Sequence, residues 1–128
     1  MQAGRNRGWR GWAMVLGLGA LLAGCGGEDA PQAQAAIGQG VPQDAALAQL
    51  YGTSCKQCHA NPAAGAPLTG DTLAWEPRLE KGMDTLLDHS INGFQGMPPL
   101  GLCMQCSEPD FRALIEFMAA APQPEEGH

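Results

Sequence analysis

The strongest constraint on this chain is how little apolar material it offers between residues 44 and 121. The chain has 128 residues, with 18 glycines, 10 prolines and only 5% aromatic residues. Glycine and proline break up residues 60–73 and 94–106, which confines regular structure to short pieces. A core this small needs a staple such as a disulfide, a metal or a large cofactor.

The short pieces between these loops predict helices. Asp44 is a good N-cap for a first helix, which we expect to end near Cys55. Residues 75–92 predict a helix in two parts with a break near Gly82, and Ser107 caps a final helix. No stretch shows convincing strand alternation. The sequence therefore predicts one all-α domain over residues 44–121, with three to four helices joined by long loops.

Residues 1–24 differ from the rest of the chain. They contain three arginines and no acid, followed by an apolar run over residues 12–23. This pattern is typical of an export signal, and the run is shorter than the ~20 residues that span a bilayer. It ends in Leu-Ala-Gly-Cys25, which resembles a bacterial lipobox, so we expect cleavage before Cys25 and lipid on that cysteine. The alternative is an ordinary secretory signal.

The segments flanking the predicted domain have no periodicity. Residues 25–43 predict a lipid-anchored flexible linker, and residues 122–128 a disordered tail. After cleavage the chain keeps four basic residues against 13 acidic ones, a net charge of about −9. This balance excludes a nucleic-acid binder, so we expect attachment to a membrane through the lipid alone. We expect the protein on the periplasmic side, and Gly26 after the cysteine slightly favours the outer membrane by resemblance to other lipoproteins.

Cys55-Lys56-Gln57-Cys58-His59 is the central motif. Cys-x-x-Cys-His is the attachment motif of c-type haem. Two cysteines three residues apart near a helix end can reach the two vinyl groups of one porphyrin, and the adjacent histidine can donate a ring nitrogen to iron. Covalent attachment suits an exported protein, because a dissociable cofactor is easily lost. The motif predicts one covalently bound haem c.

Three other interpretations of the motif stay open. A thioredoxin-type redox pair would need a βαβ context, which the sequence does not show. Cys55 and Cys58 would otherwise pair as a disulfide, with His59 incidental. A four-thiolate zinc site with Cys103 and Cys106 would need a gap of 44 residues, against the usual ~15–20.

The iron would need a second ligand, and six side chains after the motif qualify: Met83, Met97, Met104, Met118, His89 and His128. Met83 and Met118 lie on apolar helical stripes, where methionine is usually core. We expect His89 to be a solvated helix residue. Met97 instead lies in a loop before Pro98-Pro99, a stiff setting that can present a thioether across a flat ring. Such a ligand favours Fe(II) and raises the reduction potential.

Cys103 and Cys106 are the remaining cysteines. In an oxidising compartment two unassigned cysteines this close are expected to pair, which would pin the loop between Met97 and the last helix. A redox-active disulfide is the alternative.

Six short motifs follow one another along the chain: Tyr51-Gly-Thr-Ser-Cys55-Lys-Gln-Cys58-His59, Gly65-Ala-Pro67, Gly70-Asp71, Trp75-Glu-Pro77-Arg78, Met97-Pro98-Pro99 and Cys103-Met-Gln-Cys106. Over about residues 44–121 this resembles the cytochrome c5 family of small class I c-type cytochromes. The resemblance implies a class I cytochrome c fold wrapped around one haem, and one-electron transport.

The resemblance also implies roles for individual residues. Cys55 and Cys58 would form the thioethers, with His59 as proximal and Met97 as distal ligand. The further contacts it implies are the Pro67 carbonyl on the His59 ring, Leu68 packed on the haem, and Trp75 or Arg78 near the haem propionates.

The function expected from all of this is an exported, tethered electron carrier that is not an enzyme. Partners would be redox proteins, such as a quinol-oxidising complex as donor and a terminal oxidase or reductase as acceptor. The acidic charge predicts a basic partner surface. The alternative is a haem enzyme or a gas or redox sensor with a labile sixth ligand, and after that a structural zinc module.

Overall fold

A computed structural model of the protein describes residues 34–122. The predicted signal, the lipidation site at Cys25 and the tail from residue 123 onward lie outside these residues. The main α-helices are α1 (Ala45–Thr53), α2 (Lys56–His59), α3 (Thr72–Leu79), α4 (Met83–Asn92) and α5 (Glu108–Ala119). Two 3₁₀ turns, Pro62–Ala64 and Pro99–Leu102, lie in the predicted loops. No strand occurs between residues 34 and 122, so the all-α prediction is confirmed.

Two predicted helix starts are confirmed by their caps. The Asp44 carboxylate accepts the backbone N–H of Leu47 at 2.8 Å, at the start of α1. At the start of α5 the Asp110 carboxylate accepts both the backbone N–H (2.8 Å) and the hydroxyl (2.6 Å) of Ser107. Such bonds satisfy groups that a helix end leaves without a backbone partner.

The predicted helix over residues 75–92 does consist of two parts. Gly82 precedes α4 with a φ of +87°, a conformation that side chains disfavour. The first part, α3, begins earlier than expected, at Thr72. The Asp71 side chain accepts the backbone N–H of Ala74 at 3.1 Å and so caps this extra turn.

The helices pack around a small core made of Tyr51, Trp75, Leu86, Leu87, Phe111, Leu114, Ile115 and Met118. Tyr51 joins α1 to α5, since its ring meets the edge of Phe117 at 5.1 Å between centroids. The Tyr51 hydroxyl also hydrogen-bonds the Thr69 hydroxyl at 2.8 Å, which ties the loop before α3 to the core. Apolar side chains from the helices form this core, and one side of it is not covered by other residues.

Part of the predicted linker contacts the domain. The backbone N–H of Gly38 donates to the Thr69 carbonyl at 2.7 Å. Gly40 lies against the Phe117 ring, which an added Cβ would meet at 3.4 Å. We had no sequence signal for these contacts, because backbone contacts of this kind leave no periodic pattern, and the whole segment was therefore predicted to be a flexible linker. The proposed tether therefore ends before Gly38. Among the described residues, no helix has the length and apolar character needed to cross a membrane.

Candidate haem site

The open side of the core is a cavity of about 420 Å³, within the range of pockets that bind cofactors. Its walls come from α2 to α5 and from the loops before α3 and after α4. Seven of the predicted haem contacts line it: Cys55, Cys58, His59, Pro67, Trp75, Arg78 and Met97. The fold thus brings together groups that are far apart in the sequence.

His59 is held on two sides. Its Nδ1 lies 2.7 Å from the Pro67 carbonyl oxygen, which fixes the proton on Nδ1 and leaves Nε2 free to bind a metal. The ring stacks on Trp75 at 5.7 Å between centroids, and the Trp75 indole N–H donates to the Leu68 carbonyl at 2.8 Å. Burial lowers the pKa of His59, which favours the neutral imidazole that metals require. We call these four residues the proximal wall.

Leu68 is the exception among the predicted haem contacts. Its side chain is not among those lining the cavity, and its backbone carbonyl instead holds Trp75. The packing of Leu68 on the haem stays a prediction. The contact that the structure shows for this residue is the bond from the Trp75 indole to its carbonyl.

The two motif cysteines are free thiols at the cavity, Cys55 buried and Cys58 exposed. The turn that places them is helical, because the backbone N–H groups of Cys58 and His59 both bond to the Cys55 carbonyl, at 3.2 and 2.9 Å. Burial raises the pKa of the Cys55 thiol. The structure therefore does not pair the two cysteines with each other, and both are available for thioether bonds.

Cys103 and Cys106 are joined by a disulfide, with 5.4 Å between their Cα atoms. A four-cysteine zinc site would need these thiols free. Within residues 34–122 no three or more His, Cys, Asp or Glu side chains are grouped to hold a metal ion. With Cys103 and Cys106 bonded to each other, the structure does not support a four-thiolate zinc site.

Met97 reaches the cavity from the loop after α4. Its backbone pairs with Phe94 in both directions, with N···O distances of 3.0 and 2.9 Å. Gly93 has a φ of +86°, and an added Cβ there would lie 3.1 Å from the Met97 carbonyl oxygen. We call residues 93–103 the Met97 loop. Met118 of α5 also lines the cavity, whereas Met104 is 77% exposed and points elsewhere.

The cavity also contains His89 and Lys81, which were not predicted to lie at the site. His89, expected in solvent, stacks on Phe94 at 3.8 Å and lines the cavity. Phe94 folds back over the end of α4, and no local sequence pattern predicts this contact. Lys81 lies beside Arg78 in the lining. Lys81 follows the end of α3, so helical periodicity could not predict its place in the lining.

The lining is basic. Arg78 and Lys81 belong to it, and no aspartate or glutamate between residues 34 and 122 does. The Arg78 guanidinium also donates to the Ala74 carbonyl of its own helix. Such groups suit the carboxylates of a porphyrin. The thiols, the oriented imidazole, the thioether and the cationic lining together fit a haem c.

Comparison with known proteins agrees with this site. Residues 42–118 match the family model described as cytochrome C oxidase, cbb3-type, subunit III. Over 67 residues the chain is 40% identical to cytochrome c5 of Ectopseudomonas mendocina, covering 51% of this chain and 77% of that protein. For cytochrome c5 of Azotobacter vinelandii the identity is 39%, covering 51% and 81%. The chain belongs to the cytochrome c5 family.

A solved structure also resembles this cytochrome c5. The match is a chain from the electron-transfer complex of nitrite reductase with cytochrome c, at 38% identity and a TM-score of 0.53. It covers 61% of this chain and 95% of the other. The class I cytochrome c fold is thereby confirmed. The cofactor of this cytochrome c5 is haem c, and the protein is a haem-based electron carrier.

Proposed function

We propose that this cytochrome c5 carries single electrons through a haem whose iron is ligated by His59 and Met97. Thioethers from Cys55 and Cys58 would hold the porphyrin. The bound haem supplies one-electron chemistry between ferric and ferrous iron. The observation that supports the proposal best is the cavity itself, which gathers two free thiols, an imidazole bonded through Nδ1 and a loop methionine.

The proximal wall gives His59 its role. The bond to Pro67 orients the ring and raises the basicity of Nε2. The stack on Trp75 limits rotation of the ring. A ligand held in this way moves little between the two oxidation states, which suits a group that must exchange electrons quickly.

On the other side, Met97 offers a thioether. This weak donor favours ferrous iron and so raises the reduction potential. If His59 and Met97 both bound the iron, small molecules would find no open coordination site. This arrangement would suit a carrier better than a haem enzyme or a gas sensor, each of which needs a labile sixth ligand.

We infer that the carrier works outside the cytoplasm. The basic and apolar start of the sequence and the lipobox at Cys25 support export, acylation and tethering on the periplasmic side, with the outer membrane favoured. A quinol-oxidising complex is the proposed donor and a terminal oxidase or reductase the acceptor. The acidic surface would meet basic partner surfaces in brief encounters.

Visible spectra of the haem-loaded protein test the ligation. We expect the ferric parent to be low-spin with the weak absorption band from methionine sulfur to iron, and Met97→Ala to lose the band and become high-spin. Met104→Ala is the matched control, because Met104 is exposed and is not one of the residues that line the cavity. A band that survives Met97→Ala, or rapid carbon monoxide binding by the reduced parent, would contradict the proposal and favour the enzyme or sensor.

A further inference from the structure

Three consecutive residues after Met97 share an uncommon backbone conformation. Leu100, Gly101 and Leu102 have φ values of +58°, +51° and +64°. This left-handed region is costly for residues other than glycine, and leucine has no side-chain hydrogen bond to offset the cost. The surroundings must hold this left-handed triplet in place.

Hydrogen bonds fix the left-handed triplet at both ends. The backbone N–H of Gly101 donates to the Pro98 carbonyl at 3.0 Å, and that of Cys103 donates to the Leu100 carbonyl at 2.8 Å. Cys103 is fully buried and bonded to Cys106. The triplet therefore lies between a proline pair and a disulfide anchored in the core, and it has little freedom to move.

Gly101 presents its bare Cα face to Met97. A Cβ placed on Gly101 would lie 3.0 Å from the Met97 methyl carbon, Cε, which is tighter than ordinary van der Waals contact. Both residues line the cavity. Because Cε is bonded directly to the sulfur, whatever fixes the methyl group also limits where the sulfur lone pairs point.

We propose that Gly101 is the residue that positions the axial thioether, an inference that rests on Met97 being the sixth ligand. The left-handed triplet places a residue without a side chain against the methyl of Met97, and this contact would select which sulfur lone pair is offered to the iron. This explains why two leucines are kept in a costly conformation around one glycine. Relaxing the turn would move the surface on which the methyl rests.

The test uses the haem-loaded protein with a Cβ added at this one position. Gly101→Ala adds only the methyl group. Gly101→Asn adds a Cβ in a residue that tolerates the left-handed region, so it is the variant expected to fold if Gly101→Ala does not. Gly82→Ala is the control. Gly82 also has a positive φ, of +87°, but an added Cβ there meets nothing within 4 Å.

Two readouts report on the axial bond: the methionine-to-iron band, and the affinity of the ferric protein for imidazole, which competes with Met97. We expect both Gly101 variants to weaken the band and to bind imidazole on the order of tenfold more tightly, since overpacking a filled site weakens the native contact. Gly82→Ala should keep the band and imidazole affinity of the parent.

Three results would overturn the proposal. Folded Gly101 variants with the band and affinity of the parent would show that the contact does not position the sulfur. A change of equal size in Gly82→Ala would assign the effect to backbone strain. A parent without the band would refute the ligation by Met97 itself, and this outcome is distinct because it appears before any substitution is made.

Discussion

His59 and Met97 reach the same cavity from walls that are held in different ways. The proximal wall depends on side chains: a ring nitrogen bonded to Pro67, and an indole that stacks on that ring and bonds to Leu68. The Met97 loop depends on its backbone, with a bridge to Phe94, a left-handed triplet and a disulfide. Side-chain contacts orient a ring directly, whereas a flexible thioether needs the chain around it to be rigid.

The largest effect is expected from the proximal histidine. His59→Ala should remove the low-spin haem, because it deletes the anchored imidazole. His89→Ala is a matched change, since His89 lines the same cavity but stacks on Phe94. We expect that variant to keep its low-spin spectrum. Haem content and visible spectra of the two purified variants provide the comparison, and the reverse pattern would show that the wrong histidine has been assigned.

Removing the disulfide tests the Met97 loop. For a closed loop of four residues, Cys103→Ala with Cys106→Ala should lower the free energy of unfolding by about 2 kcal/mol. The measurement is denaturant unfolding of the haem-loaded protein. Met104 is an exposed residue between the two cysteines. The free energy of unfolding of Met104→Ala should stay within ~0.5 kcal/mol of that of the parent. An unfolding free energy unchanged by the double substitution would show that the disulfide does not stabilise the fold.

A glycine substitution separates backbone strain from packing. Leu102→Gly should raise the free energy of unfolding by about 1 kcal/mol, because it relieves a leucine held in left-handed backbone. Leu73→Gly removes the same kind of side chain from α3, where Leu73 is 81% exposed. This substitution should lower the free energy of unfolding by about 1 kcal/mol. Denaturant unfolding of both variants measures the contrast. Two equal losses would show that the turn stores no strain at Leu102.

The smallest effect concerns the cap of α5, which lies outside both walls. Hydrogen bonds from the Ser107 hydroxyl and then from its backbone N–H hold the pKa of Asp110 below its ordinary value. Stabilisation from a carboxylate of this kind is present above its unfolded-state pKa and is lost as pH falls through the folded-state pKa.

Asp110→Asn should therefore lower the melting temperature slightly at neutral pH, and the difference from the parent should narrow below about pH 4. Thermal unfolding of both proteins across this range is the measurement. A difference that stays constant with pH would show that the charge of Asp110 does not matter for the cap.

The proximal wall was more accessible to sequence reasoning than the Met97 loop. Cys-x-x-Cys-His predicts its ligand from residue type and spacing. The helix caps at Asp44 and Ser107 are predicted from residue type in the same way. Leucine disfavours left-handed backbone, so nothing in the sequence predicts the triplet around Gly101. The docking of Gly38 escaped for a related reason, since it is a contact of the backbone alone.

Ligation of the iron by both His59 and Met97 is the central claim, and the reduction potential of Met97→His tests it most directly. Replacing the thioether by an imidazole keeps a six-coordinate site while removing the donor that favours Fe(II). We predict a potential lower by on the order of 0.1 V or more, a part of the ~0.8 V range that axial ligands set. Met104→His should have the same reduction potential as the parent. An unchanged potential in Met97→His would contradict the account, because Met97 would then not be bound to the iron.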